Sequence, residues 1–288
     1  MEQVVTVGLD GSPESLAAAR WAAEEAEKRK LTLRLLHAWP LLAPEPPRAP
    51  SEVDQNYWAK RLVHTAQAEL GTRHPGLSVV GSLVADDAQE ALLRAASESE
   101  MLVLGSRRLG SAESYFLGDV SMAVVARAQR PVTLVRAEPA TEQPRTPAGR
   151  VVVALDLHGS GDDLLDFAFH SAAARDVPLL AVHGRSVPFH ARMPWGVDHG
   201  VSEELTREAR AALDKALRPW REKYPQVQVD DSVRLASPAK AVVHAAEDAA
   251  LLVVGRRTHW HGGTHHLDHV AHAAIHHVRC PVAVVPHD

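Results

Sequence analysis

The stretch Met101–Ser121, MLVLGSRRLGSAESYFLGDVS, holds the pattern from which the fold can be predicted. It opens with the apolar run Met101–Leu104, typical of a buried strand, and Gly105 follows at the strand's carboxyl end. A polar loop then leads to Gly118, where a helix is expected to begin. A glycine lets an anion approach the backbone, and a helix N-terminus offers unpaired N–H groups at the positive end of the dipole. The stretch therefore predicts a phosphate site between a strand and a helix.

The same pattern returns at 251–275 as LLVVGRRTHWHGGTHHLDHVAHAAI. Gly255 and Pro281 repeat Gly105 and Pro131 at an offset of 150 residues. Further upstream, Asp156 and His183 repeat Asp10 and His37 at an offset of 146 residues. The second copy thus gains four residues in its middle. Matching offsets along two halves of one chain indicate a tandem duplication.

Working outward, each copy alternates short apolar strands with amphipathic helices. Strands that are apolar on both sides predict a parallel sheet covered on two faces, so each copy is expected to be an α/β domain with five parallel strands and helices on both faces. Between the copies, 138–150 carries three prolines and no apolar periodicity, which is typical of a linker. The predicted domains are therefore 1–137 and 151–288.

Composition limits the function. The chain of 288 residues is 45% hydrophobic with a net charge of -5, which argues against nucleic acid as a partner. No apolar run approaches the roughly 20 residues that cross a bilayer, so no membrane partner is expected. The N-terminal residues lack the basic region followed by an apolar run that is typical of a secretory signal. With Cys280 as its one cysteine, the chain can form no internal disulfide. Together these features predict a cytoplasmic location.

Three segments of the first copy, with their counterparts in the second, resemble the universal stress protein family. They are VGLDGSPES at 7–15, LVLGSR at 102–107 and RPVTLV at 130–135, and they return as ALD at 154–156, LVVGR at 252–256 and RCPVAVV at 279–285. The resemblance covers nearly the whole chain outside the linker. It implies an adenine-nucleotide alpha hydrolase-like fold, a non-enzymatic role in the stress response and ATP as the ligand. It also implies pairing through the last strand, so the copies are expected to form an intramolecular pseudo-dimer, and a homodimer is left open.

Members of the family that bind ATP carry G-x2-G-x9-G-[ST] after the fourth strand. The first copy keeps Gly105 and Gly118, but Arg108 replaces the middle glycine and Asp119 the final Ser/Thr, with Ser121 two positions on. Arginine side chains can donate charge-assisted hydrogen bonds to a phosphate. Asp119 is expected to cap the helix, and its negative charge is expected to repel a phosphate. The candidate cofactor-binding residues are Asp10, Gly11, Val84, Gly105, Arg107, Arg108, Gly118 and Ser121.

The second copy departs further from this motif. Only Gly255 remains, while Thr258, Asp268 and His269 occupy the other three motif positions. We therefore expect ATP in domain 1 and a degenerate site in domain 2.

Histidines offer an alternative. Of the 18 in the chain, eight fall between His259 and His277. His265, His269, His272 and His276 lie at spacings of four, three and four, so a helix would place them on one face. Imidazoles at such spacing can hold a metal ion, and His265, His269 and His272 are the candidates. Structural or solvated histidines are the favoured interpretation, so no metal is expected. The alternative function is an interaction or metal-responsive module in which both nucleotide sites have decayed.

No catalytic site is predicted, because the chain has neither a G-x4-G-K-[ST] loop nor a nucleophile with an evident base. The pairs Asp86-Asp87 and Asp162-Asp163 precede helices and are expected to stabilise helix N-termini. Trp58 and Trp220 are expected to pack in the core.

Overall fold

The computed structural model describes residues 3–39, 52–108, 115–116, 118–137, 149–157, 159, 161–187, 192–193, 196–197, 199–258 and 267–287. The chain divides into two compact units, Met1–Gln143 and Pro144–Asp288. The narrower limits 1–137 and 151–288 stay a prediction.

Unit 1 alternates strands and helices as expected. Its elements are β1 (Val4–Gly8), α1 (Pro13–Arg29), β2 (Thr32–Trp39), α2 (Glu52–Arg73), β3 (Val79–Ala85), α3 (Ala88–Ser97), β4 (Met101–Arg108), β5 (Tyr115–Phe116), α4 (Asp119–Arg127) and β6 (Val132–Arg136).

Unit 2 repeats this order with an added hairpin, β9–β10, and without a counterpart to β5 among its described residues. Its elements are β7 (Val151–Ala154), α5 (Asp162–Arg175), β8 (Leu179–Gly184), β9 (Arg192–Met193), β10 (Gly196–Val197), α6 (His199–Lys223), β11 (Val229–Arg234), α7 (Pro238–Ala245), β12 (Leu251–Arg257), α8 (His269–His277) and β13 (Val282–His287).

Each unit is built on five parallel strands, which confirms the predicted fold class. The strand order in unit 1 is β3-β2-β1-β4-β6, and in unit 2 it is β11-β8-β7-β12-β13. The chain runs outward from β1 in one direction and then crosses to β4 on its other side, so the order switches between β1 and β4. In open parallel sheets, ligands bind at the carboxyl ends of the strands beside such a switch.

The inner strands are apolar because both faces of the sheet are covered. Val5, Val7, Leu33 and Leu35 are fully buried. Helix α1 starts as expected: Ser12 caps it by accepting a hydrogen bond from the Ser15 backbone N–H at 3.1 Å. Its alanine-rich face lets it lie close to the sheet. A Cβ at Gly105 would meet the backbone carbon of Glu14 at 2.6 Å, so only glycine fits there.

Candidate functional site

A cavity of about 450 Å³ opens at the carboxyl ends of β1 and β4 in unit 1. Four of the predicted residues line it together: Asp10, Gly105, Gly118 and Ser121. Leu36, Leu92 and Leu104 form the apolar part of the cavity wall. Asp119, the first residue of α4, also lines the cavity. The switch point in strand order and the predicted phosphate loop therefore meet at one place.

Asp10 belongs to the turn that links β1 to α1. Its Oδ1 accepts a hydrogen bond from the Ser12 backbone N–H at 2.9 Å, and the side chain is solvent-exposed. The turn needs glycine at Gly11, where φ is +84°. Gly11 thus shapes the loop that presents Asp10 and is not itself among the residues lining the cavity.

The N-terminus of α4 lies open at the cavity. Gly118 is the N-cap residue, and no side chain of the described residues caps the helix. A Cβ at Gly118 would meet nothing within 4 Å. The expectation that Asp119 caps this helix is wrong: Asp119 is the first helical residue, exposed, and a carboxylate there cannot reach back to the first turn's N–H groups as an N-cap does. Backbone donors therefore remain directed at the cavity.

Other predicted residues lie elsewhere. Val84 is in β3, paired in register with Ala38, and does not line the cavity, although Ala38 does. The side chains of Arg107 and Arg108 lie outside the described part of the chain. Asp86 forms an ion pair with Arg94 at 2.6 Å, and this hydrogen bond lowers the pKa of the carboxyl.

Unit 2 has a corresponding cavity of about 320 Å³, and its charges are arranged differently. Asp156, the counterpart of Asp10, forms an ion pair with Arg257 at 2.7 Å. The His287 ring lies against Gly255, so a Cβ at this position would have to displace it. The carboxylate that corresponds to Asp10 is thus held in an ion pair in unit 2.

The clearest difference lies at the helix after the fourth strand. Asp268 stands where unit 1 has Gly118, and it is the N-cap of α8, with its Oδ1 accepting from the Ala271 backbone N–H at 2.7 Å. The positive end of this helix is therefore satisfied by a carboxylate of the chain itself. The sequence marked Asp268 only as a missing glycine, yet aspartate before a helical run is a recognisable N-cap signal.

One detail is identical in both units. His37 Nδ1 lies 2.7 Å from the Leu9 carbonyl oxygen, and His183 Nδ1 lies 2.9 Å from the Leu155 carbonyl oxygen. Each bond joins the second strand to the end of the first. The duplication therefore preserved the polar support of the site region even where the binding positions diverged.

A family model described as the universal stress protein family matches residues 1–136 and again residues 148–286. The chain belongs to the universal stress protein family. It is 33% identical over 290 residues to the universal stress protein Rv2005c of Mycobacterium tuberculosis, covering 97% of this chain and 96% of that protein. Another universal stress protein of that organism, Rv1996, is 29% identical over 310 residues, at 99% and 96% coverage.

Among solved structures, a universal stress protein from Archaeoglobus fulgidus has the same fold. Its TM-score is 0.66 at 17% sequence identity, with 98% of each chain covered. The fold is therefore shared over nearly the whole length of both chains.

The described part of the histidine-rich segment is helix α8. His269 and His272 lie exposed on α8, and the His272 and His276 rings have centroids 4.3 Å apart. His265 lies outside the described residues. Within the described residues, no group of three His, Cys, Asp or Glu side chains is placed to hold a metal ion. In that same part of the chain, every helix is too short or too polar to span a bilayer.

Proposed function

We propose that this chain is a non-enzymatic stress-response protein that binds ATP in the cavity of unit 1. One observation carries the proposal: the uncapped N-terminus of α4 opens into a cavity at the switch point of the sheet. A helix N-terminus without a side-chain cap is a ready acceptor site for an anion. Gly118 and Ser121 lie at that end, and Asp10 lies across the cavity on the loop after β1.

Different parts of the cavity wall suit different parts of ATP. The apolar wall of Leu36, Leu92 and Leu104 suits a flat ring, and the Asp10 carboxylate suits a hydroxyl or amino donor. The phosphates would meet the backbone N–H groups at the start of α4, with Arg107 and Arg108 as the proposed cationic partners. The proposed role is binding, because no side chain at this cavity is predicted to act as a general base on a water molecule or a hydroxyl group.

Unit 2 is proposed not to bind ATP. Asp268 occupies the anion position at α8, and a bound phosphate there would face a like charge within a few ångströms. The Asp156–Arg257 ion pair engages the carboxylate that corresponds to Asp10. One ATP per chain is therefore the proposed stoichiometry, at a cytoplasmic location.

The alternative, a metal-responsive or interaction module, draws on the His272–His276 pair, whose rings already lie 4.3 Å apart. The alternatives differ in which ligand stabilises the fold, because a ligand that binds only the folded state raises the melting temperature. ATP should raise it under the first proposal, whereas Zn²⁺ alone should raise it under the second.

The test of the first proposal is Gly118→Asp, which gives α4 the cap that α8 already has. The position has room for the side chain, so the fold should keep its melting temperature or gain slightly from the better cap. ATP affinity, measured by calorimetry, should fall at least tenfold. Gly76→Asp is the matched control, since Gly76 is an exposed glycine of the same unit with open space around it. Equal affinity in wild type and Gly118→Asp would refute the proposal.

A further inference from the structure

The cavity of unit 2 remains open although its anion position is taken. We infer that it binds a nucleoside without phosphate groups. The inference rests on the proposed function, because it assigns to unit 2 the base-and-sugar part of the ligand proposed for unit 1.

His183 gives the first reason. It is 5% exposed and lines the cavity, and its Nδ1 lies 2.9 Å from the Leu155 carbonyl oxygen. A carbonyl oxygen only accepts, so Nδ1 carries the hydrogen and Nε2 of the neutral ring is an acceptor. No partner for Nε2 is found among the residues that the structure describes. Because His183 lines the cavity, its Nε2 is available as an acceptor to a ligand that donates an N–H or O–H group.

The carboxylates give the second reason. Asp156 and Asp268 both line the cavity, and ionised carboxylates only accept hydrogen bonds. Arg257 balances the charge of Asp156, while Asp268 faces the first turn of α8. A phosphate would add negative charge beside Asp268, whereas hydroxyl and amino groups would find acceptors. Arg185 also lines the cavity, and Glu208 pairs with it at 3.7 Å. At the start of α8, the wall therefore favours hydrogen-bond donors over anions.

The size and the apolar wall complete the argument. The cavity measures about 320 Å³, within the range of small-molecule sites, which begins near 300 Å³. Leu164, Val182 and Val242 line it and are nearly or wholly buried. An aromatic base can lie against these side chains, and ribose hydroxyls and a ring amino group supply the donors that His183 and the carboxylates accept.

The test is a titration of adenosine into wild-type protein that is already saturated with ATP. One adenosine per chain should bind, because ATP fills unit 1 and is excluded from unit 2. His183→Phe should weaken adenosine at least tenfold, since it removes the acceptor. His37→Phe is the matched control: it breaks the same bond to a carbonyl oxygen in unit 1, where His37 does not line the cavity. Failure of adenosine to bind, or equal binding by His183→Phe, would overturn the inference.

A second variant covers the case in which His183→Phe does not fold. Asp268→Gly removes the carboxylate cap and should raise the ATP bound from one to two per chain. A count that stays at one, or a count of two in wild type, would contradict exclusion by Asp268. The two claims fail separately. Adenosine binding that depends on His183, without any ATP binding, would refute the proposed function alone, and one bound ATP without adenosine would refute this inference alone.

Discussion

At the scale of single residues, one carboxylate is expected to limit the affinity of unit 1. Asp119 lines the cavity at the first helical position, where a phosphate would be its neighbour. Two unit charges about 4 Å apart in water repel by about 1 kcal/mol. Asp119→Ser should therefore tighten ATP binding about fivefold in a calorimetric titration. Asp162→Ser, at the matching first position of α5 after a glycine cap, should leave unit 1 unchanged. Weaker binding by Asp119→Ser would contradict this reading of the charge.

Part of the site could be predicted from residue types alone. The sequence predicted that Asp10, Gly105, Gly118 and Ser121 lie at one edge of the sheet, because each follows a strand or lies at the start of a helix, and all four line the cavity. It could not decide the role of the neighbouring acids. The predicted helices began at Gly118 and 267, and the observed ones begin at Asp119 and His269. That shift of one or two residues determines whether a carboxylate is the cap, as at Asp268, or stands beside it, as at Asp119.

Gly105 is a second residue whose role could be predicted only in part from the sequence. The sequence suggested that its missing side chain admits an anion, and the residue does line the cavity. The steric constraint, however, comes from the start of α1, whose Glu14 backbone lies where a Cβ would be. Close packing between elements that are distant in sequence leaves no local signal.

At the scale of elements, helix caps make a separable prediction. Asp87 caps α3 by accepting from the Gln89 and Glu90 backbone N–H groups at 2.9 and 3.2 Å. Asp87→Ala should lower the free energy of unfolding in urea by about 1 kcal/mol. Asp86→Ala, one residue earlier, loses an exposed ion pair with Arg94 and an exposed hydrogen bond from the Asp87 backbone N–H, and should cost less. A larger loss from Asp86→Ala would contradict the assignment.

The two variants also differ in their expected pH dependence. Because Arg94 lowers the pKa of Asp86 in the folded protein, this pair contributes above the ordinary pKa of an aspartate. Its contribution is lost as the pH falls through the lowered folded-state value. The small effect of Asp86→Ala should therefore vanish in acid.

Strand ends were harder to predict than strand centres. The apolar runs predicted β4 and β12 to end at Leu104 and Val254. Instead, β4 continues to Arg108 through pairing with β6 and then β5, and β12 continues to Arg257 through pairing with β13. Polar residues are buried in these extensions: Arg136 donates to Ser106, and burial lowers the pKa of Arg256. Tertiary pairing overrides the polarity that ended the predicted strands.

Of the two helical tryptophans that were expected to pack in the core, one is exposed. Trp58 was predicted to pack in the core and is 63% exposed on α2. Trp220 does pack, with its ring stacked on Phe169 at a centroid distance of 6.0 Å. Helical spacing of large side chains indicates a face of the helix, and it does not say whether that face is covered.

At the scale of the whole molecule, the duplication explains why the fold could be predicted from the sequence. Both units keep the same strand order and the same histidine-to-carbonyl bond, so the scaffold could be inferred from the repeat. The proposed functional asymmetry depends on one position, Gly118 in unit 1 and Asp268 in unit 2. A helix end that is open in one copy and capped in the other predicts one nucleotide per chain.

The most direct measurement is the change in backbone amide resonances when ATP is added to isotope-labelled protein. We predict that the amide resonances of Asp119, Val120 and Ser121 shift as these groups meet phosphate, while those of His269, Val270 and Ala271 do not. Shifts at the start of α8 with none at the start of α4 would contradict it.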